Sequence, residues 1–130
     1  MTAVKPNAKY LKDYKAPSYF IDSIDLDFDL LDNETKVVAI NKVRRNGSHN
    51  DDLVLDGVDL TLNSVSIDGH EIQHYLIKNN QLIISDLPAE CVLIIETTID
   101  PQANTSLEGL YKSAGAFCTQ CESEGFRKIT

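Results

Sequence analysis

The sequence predicts an all-β domain, antiparallel and sandwich-like. Three observations carry that prediction. Ile24-Asp25-Leu26-Asp27-Phe28-Asp29-Leu30 alternates apolar and acidic residues with a period of two, the pattern of a strand with one buried face. Turn-forming residues recur at intervals of roughly eight to twelve residues, the spacing of sandwiches and barrels. No stretch repeats its apolar residues at the spacing of a helix face.

The elements follow in order. Residues 1–18 carry Lys5, Lys9, Lys12 and Lys15 with two prolines and no period, which predicts an extended arm. The β domain, residues 19–100, opens with the Ile24–Leu30 alternation. Asp32-Asn33-Glu34 turns the chain into a second strand over Thr35–Arg45, rich in β-branched residues at Val37, Val38, Ile40 and Val43. After Asn46-Gly47-Ser48 comes a short strand at Leu53-Val54-Leu55, and after Asp56-Gly57 a strand over Leu60–Ile67. Asp68-Gly69 is a tight hairpin signal, with His70–Lys78 as the answering strand. Asn79-Asn80 leads into Gln81–Ser85, and Leu87-Pro88 precedes a strand over Cys91–Ile99. Residues 101–130 change register: Gly, Ser, Ala, Asn and Gln dominate up to Gly125, which predicts a long loop, and Phe126–Thr130 reads as the opening of a further strand.

Length and charge narrow the function. The 130 residues make one domain with one core, at 42% hydrophobic and 25% charged residues. A net charge of −8 argues against nucleic acid, which needs a basic surface. The strongest apolar run, Cys91-Val92-Leu93-Ile94-Ile95, is too short to span a membrane. The polar N-terminus has no apolar signal-peptide core. Three scattered cysteines, Cys91, Cys118 and Cys121, fit a reducing compartment better than a disulfide framework. A cytoplasmic location is expected.

His70-Glu71-Ile72-Gln73-His74 has the spelling of a zinc-protease site and must be weighed. That chemistry depends on a helix, in which residues four apart are neighbours able to share one ion. On a strand the two imidazoles stand about 13 Å apart, from a rise of roughly 3.3 Å per residue. The hairpin signal before His70 and the β-prone Tyr75-Leu76-Ile77 after it favour the strand. Such sites carry a third, glutamate ligand at a position that is Leu93 here; Glu90 and Glu96 both miss it. His70, Glu71 and His74 are therefore expected to be a chance match on a solvent-facing strand, holding no metal.

Cys118-Thr119-Gln120-Cys121 offers two thiols with no second ligand pair and no strand-to-helix setting for redox work, so packed, reduced cysteines are expected. The row Asp25, Asp27, Asp29 lies along one strand face and cannot wrap an ion as a loop does, so a solvated face is expected. No phosphate cradle or nucleophile elbow is present. Taken alone, these residues describe an acidic β domain without a reaction.

Several stretches carry more specific information: Ala8-Lys9-Tyr10, Asp13-Tyr14-Lys15-Ala16-Pro17, the alternating Ile24–Leu30 run and Ala103-Asn104-Thr105-Ser106-Leu107-Glu108-Gly109-Leu110-Tyr111. The most specific is Cys118-Thr119-Gln120-Cys121-Glu122-Ser123-Glu124-Gly125-Phe126-Arg127-Lys128-Ile129-Thr130. In these, and over nearly its whole length, the chain resembles the N-terminal domain of the bacterial zinc aminopeptidase N family. Matching is weaker around residues 46–52 and 70–80. The resemblance implies a saddle-like, antiparallel β-sandwich domain of a large cytoplasmic peptidase, followed in that family by a thermolysin-like catalytic domain, a small β domain and a helical domain. It implies release of N-terminal residues from peptides, with zinc held in the catalytic domain beyond residue 130 and none bound by this chain. Carried over by motif, Gln120 would border the pocket for the first side chain of the substrate, and Glu122 would help hold its free α-ammonium. No catalytic residue falls in this chain, which by itself is expected to be inactive.

Two other readings stand beside this one: a non-catalytic β-sandwich interaction module, and a small zinc hydrolase built on His70, Glu71 and His74. Expected partners are peptide substrates and the catalytic domain of the same polypeptide, with no nucleic acid and no membrane. A sheet edge or apolar surface left uncovered is expected to promote self-association.

Overall fold

A computed structural model describes residues 7–130. Its ten strands are β1 (Tyr19–Asp29), β2 (Thr35–Arg45), β3 (Leu53–Asp56), β4 (Thr61–Ile67), β5 (His70–Glu71), β6 (Leu76–Lys78), β7 (Gln81–Ile84), β8 (Glu90–Ile99), β9 (Gly109–Ser113) and β10 (Ala116–Gln120). They form a five-stranded sheet in the order β1-β2-β8-β4-β5, a three-stranded sheet β3-β7-β6 and the hairpin β9-β10. Every pairing is antiparallel. No α-helix occurs among the described residues. The all-β, antiparallel sandwich architecture is the one expected.

The period-two patterns decide which faces are buried. Along β8, residues alternate between buried and half-buried from Cys91 to Ile99, and β2 alternates in step with it. Val37, Ala39, Asn41 and Val43 of β2 stand opposite Thr97, Ile95, Leu93 and Cys91 of β8, so one face of the sheet turns inward. Against it packs the smaller sheet. Tyr19, Val43, Leu53, Val65, Ile84, Leu87, Cys91, Leu93 and Ile95 form the shared core. Fully burying side chains such as Leu93, Val65 and Ile84 contributes about 1.5–3 kcal/mol each. A second cluster, Val37, Ile99, Leu110 and Ile129, lies under the hairpin and the C-terminal turn.

In β1 the ladder slips between Ile21 and Ser23, leaving Asp22 as a bulge. The slip exchanges the parity of the strand, so that Ile24, Leu26 and Phe28 sit opposite the inward-facing Asn41, Ala39 and Val37. The bulged Asp22 turns its carboxylate to Arg44, whose Nε and Nη2 donate to its two oxygens at 3.1 and 3.0 Å. The Arg44 guanidinium also lies over the Phe20 ring, 4.8 Å from its centroid.

Three expectations differ from the structure. The strand expected over His70–Lys78 is two short strands in different sheets, β5 and β6. Ile72 and Tyr75 both pack against the main core, and a single period-two strand cannot turn residues three apart to one face. The long loop expected in residues 101–130 contains the β9-β10 hairpin. Ala114 and Gly115, at φ 49° and 81°, close it with a two-residue turn that matches the twist of paired strands. Phe126–Thr130, expected as the opening of a strand, lies in and just after a 3-10 helix over Gly125–Lys128. Coiling there buries Ile129 in the second cluster, while the Arg127 carbonyl accepts the Val58 N–H at 2.9 Å. Of the expected arm, residues 1–6 lie outside the described residues; residues 7–17 are exposed, with one 3-10 turn at Leu11–Asp13, and Ser18 is half-buried.

Candidate functional site

Gln120 and Glu122 are brought together on one exposed turn between β10 and the C-terminal 3-10 helix. Gln120 is the last residue of β10 and pairs with Gly109. The chain then reverses through Cys121–Glu124, where the Glu122–Ser123 peptide bond is cis, and the Gly125 N–H donates to the Cys121 carbonyl at 3.0 Å.

Glycine is required on both sides of this turn. A β-carbon on the buried Gly125 would collide with the Gln120 carbonyl oxygen and come within 3.2 Å of the Gly109 nitrogen. Gly109 adopts φ +73°, where side chains are disfavoured, and a β-carbon there would meet that of Lys128 at 2.7 Å. The two backbones approach closely because neither residue has a side chain. Asn104 builds the approach to Gly109 from the other end. Its Nδ2 donates to the Glu108 and Leu110 carbonyls at 2.7 and 3.0 Å, and its Oδ1 accepts from the Ser106 N–H at 3.1 Å.

The two acids of the turn are in different electrostatic states. Glu124 is neutralised within the chain, by Arg127 at 2.9 Å and Lys9 at 3.8 Å. Glu122 has no ion-pair partner among the described residues and faces solvent. Its carboxylate can accept charge-assisted hydrogen bonds from a cation outside the chain.

The other candidates are kept apart. His70 and Glu71 lie in β5 opposite Ile67 and Ser66, and His74 lies in the irregular link to β6, where the Tyr75 N–H donates to the Gln73 carbonyl at 3.2 Å; all three are exposed. Asp68 and Gly69, at φ 50° and 83°, form the hairpin turn before them. The helix that the zinc reading requires does not form at these residues. Cys118 is half-buried on β10 and Cys121 exposed on the turn, both as free thiols. Asp25, Asp27 and Asp29 line the outer, exposed face of β1. Among the described residues, no three His, Cys, Asp or Glu side chains gather so as to hold a metal ion. Among the same residues, no helix is long and apolar enough to cross a membrane.

One feature was not anticipated from the sequence. A groove of about 440 Å³ opens between the two larger sheets, with Ile21, Ile24, Leu55, Leu62, Ile77 and Phe126 among its walls. Asn41 and Thr97, polar residues at inward-facing strand positions, also line it. Their placement in otherwise apolar patterns was the available signal.

No protein-family profile matches the chain. Aminopeptidase N of Escherichia coli is 48% identical over 126 residues, which cover 97% of this chain and 14% of that protein. Aminopeptidase N of Caulobacter vibrioides is 45% identical over 127 residues, 96% of this chain and 15% of its own length. Among solved structures, Legionella pneumophila aminopeptidase A in complex with aspartic acid superposes with a TM-score of 0.83 at 32% identity, covering 92% of this chain and 15% of that one. The chain thus spans 14–15% of the length of these relatives. Identity of 41–48% along almost all of its residues, joined to the same β architecture, shows that the chain belongs to the aminopeptidase N family, as its N-terminal domain.

Proposed function

We propose that this domain forms part of the substrate pocket of a zinc-dependent aminopeptidase, with Glu122 receiving the α-ammonium of a peptide and Gln120 bordering the pocket for its first side chain. The observation that carries this reading is the unpaired Glu122 carboxylate, held on a turn whose other acid, Glu124, is already neutralised. A carboxylate that recognises an ammonium demands a free N-terminus, and that demand makes a peptidase an exopeptidase.

The described residues do not fit a zinc site, so no step of the reaction is assigned to them. In this reading the metal and the catalytic groups belong to the part of the family's length that this chain does not span, and residues 101–130 are the site-forming segment. The chain alone is then without turnover. A cytoplasmic location accords with its three unpaired thiols.

The test is a chimera in which this chain replaces the matching 126 residues of Escherichia coli aminopeptidase N. Glu122→Gln in that chimera is expected to raise KM for free-amine dipeptide substrates about tenfold, the loss of one hydrogen-bonded charge. Unchanged kinetics would remove Glu122 from the pocket. Measurable peptide hydrolysis by the isolated chain would overturn the placement of the catalytic groups.

A further inference from the structure

We propose, on the reading of Glu122 as the ammonium acceptor, that Arg127 sets the register in which a peptide's N-terminus is received. It does so by occupying Glu124, so that Glu122 alone of the turn's acids is left to a substrate. The turn carries these two acids two positions apart, and nothing in their chemistry tells an ammonium which to choose. Their surroundings make the choice. Arg127 Nη1 stands 2.9 Å from Glu124 Oε2. Lys9, at 3.8 Å and with its side chain 93% exposed, adds little. Glu122 takes part in no ion pair among the described residues.

Arg127 can act on Glu124 because its own backbone is fixed elsewhere. Its carbonyl accepts the Val58 N–H at 2.9 Å. The next side chain, Lys128, reaches Asp59 at 3.1 Å, and Ile129 is buried with Val37, Ile99 and Leu110. The guanidinium therefore projects from a segment anchored to the body of the domain. Its Nε is buried without an acceptor, and the side chain forms part of the wall of the mainly apolar groove. An unpaired buried donor costs free energy that a methionine of similar reach would not incur. Packing thus gives no reason for an arginine at this position; the ion pair with Glu124 does.

The consequence is kinetic. Were Glu124 free, an incoming ammonium would find two acceptors. A peptide held by Glu124 would carry its scissile bond away from the catalytic groups, and such binding saturates the enzyme without turnover. It lowers kcat and KM by the same factor. The ratio kcat/KM stays constant, because free enzyme and substrate still reach the productive complex as before.

The experiment compares Arg127→Met, Glu124→Gln and the two together in the Escherichia coli chimera, on free-amine dipeptides. Both single substitutions break the same ion pair, yet opposite results are expected. Arg127→Met frees an acid and should lower kcat and KM together about twofold, since two equal acceptors would hold half of the bound peptide unproductively. Glu124→Gln removes the competing acid and should keep the kcat and KM of the parent chimera. The double substitution should return both constants to that level, which also shows that the domain folds without Arg127. A raised KM in both single variants would mean that the ion pair only stiffens the turn, and would overturn the proposal. Unchanged constants in Arg127→Met, or a double substitution that fails to recover, would do the same. Glu122→Gln keeps the two readings apart. If it raises KM while Arg127→Met leaves both constants alone, only the role of Arg127 fails; if it leaves KM unchanged, the ammonium site itself fails.

Discussion

The Lys112 ammonium stands 2.6 Å from the Asp32 carboxylate and joins β9 to the turn between β1 and β2. Two backbone hydrogen bonds run beside it, from the Gln102 N–H to the Asp32 carbonyl at 3.0 Å and from the Lys112 N–H to the Pro101 carbonyl at 3.2 Å. The Lys112 side chain is mostly shielded and also lies 5.1 Å from the Phe117 ring centroid. The hairpin that ends in Gln120 is thus held to the main sheet by this pair together with Leu110, which is buried with Val37 and Ile99. Lys112→Met should lower the stability of the chain by about 1 kcal/mol, as expected for one partly shielded pair. Urea unfolding measures the loss. Hydrogen exchange should show it as faster opening of β9 and β10 relative to β2 and β8; uniform acceleration would mean that the hairpin is not a separately held unit.

Gly125 makes a sharper demand, because the atom that a side chain would strike is the backbone of Gln120 itself. Neither side of the contact can move without displacing the turn. Gly125→Ala should cost about 1–3 kcal/mol, the usual penalty of forced overpacking. In the Escherichia coli chimera it should raise KM as Glu122→Gln does, while leaving the carboxylate chemically intact. Wild-type stability and kinetics together would show that the turn tolerates the shift.

Acid sensitivity has one identifiable source at the β1 bulge. The Arg44 guanidinium, by hydrogen bonding and by charge, holds the Asp22 carboxyl below its ordinary value of 3.8, against a smaller opposing effect of desolvation. A carboxyl whose folded value is depressed stabilises the fold above its unfolded value, and that contribution disappears as pH falls through the folded value. Stability should therefore fall below about pH 4 in part through Asp22. Asp22→Asn should flatten that part of the profile. Both groups are exposed, so the change should be small and should shrink in high salt. Identical acid profiles for the two proteins would place the sensitivity elsewhere.

The residues that were legible are those whose faces have a single period. Thr35–Arg45 was bounded correctly because β-branched residues alternate across it and an acidic turn precedes it. The alternating aspartates placed β1, but the bulge at Asp22 left no mark in the composition, since one extra residue changes register and not residue type. Residues 70–78 were misread as one strand because Ile72 and Tyr75 answer to a core that only the folded chain brings together. The β9-β10 hairpin was hidden for a related reason. Its strands are short and rich in small and polar residues, and its turn uses Ala114 at positive φ where the familiar signal is asparagine or aspartate. Gln120 and Glu122 came from resemblance alone. What physically distinguishes Glu122 from Glu124 is the position of Arg127 and Lys9, which no spacing in the sequence declares.

The zinc-protease spelling at residues 70–74 also yields a measurement. His70 belongs to a strand, His74 to the irregular link that follows, and no third donor gathers near them among the described residues. Without a helical turn the two imidazoles are not the i, i+4 neighbours that a shared ion at about 2.0–2.1 Å requires. Zinc titrated into the chain, followed by calorimetry, should show the same heat for wild type and for His70→Ala. A saturable, stoichiometric site that the substitution abolishes would require this segment to coil into a helix.

The three thiols should separate by reactivity at pH 8. Cys91 is buried in the main core, and burial raises its thiol above the ordinary value, with a smaller contribution from the Asp68 charge. A raised value means less thiolate, and the thiolate is the species that attacks an alkylating reagent. Cys121 is exposed on the turn that carries Glu122, and Cys118 is half-buried beside it. Iodoacetamide followed by peptide mass mapping should therefore find Cys121 modified first, Cys118 later and Cys91 only when the sheet opens. Because Cys91 sits between β2 and β4 in the central strand β8, its modification should slow in step with any gain in global stability and accelerate in denaturant. Early modification of Cys91 under native conditions would mean that β8 is exposed by local opening, and that the core around Leu93 is not the last part of the domain to unfold.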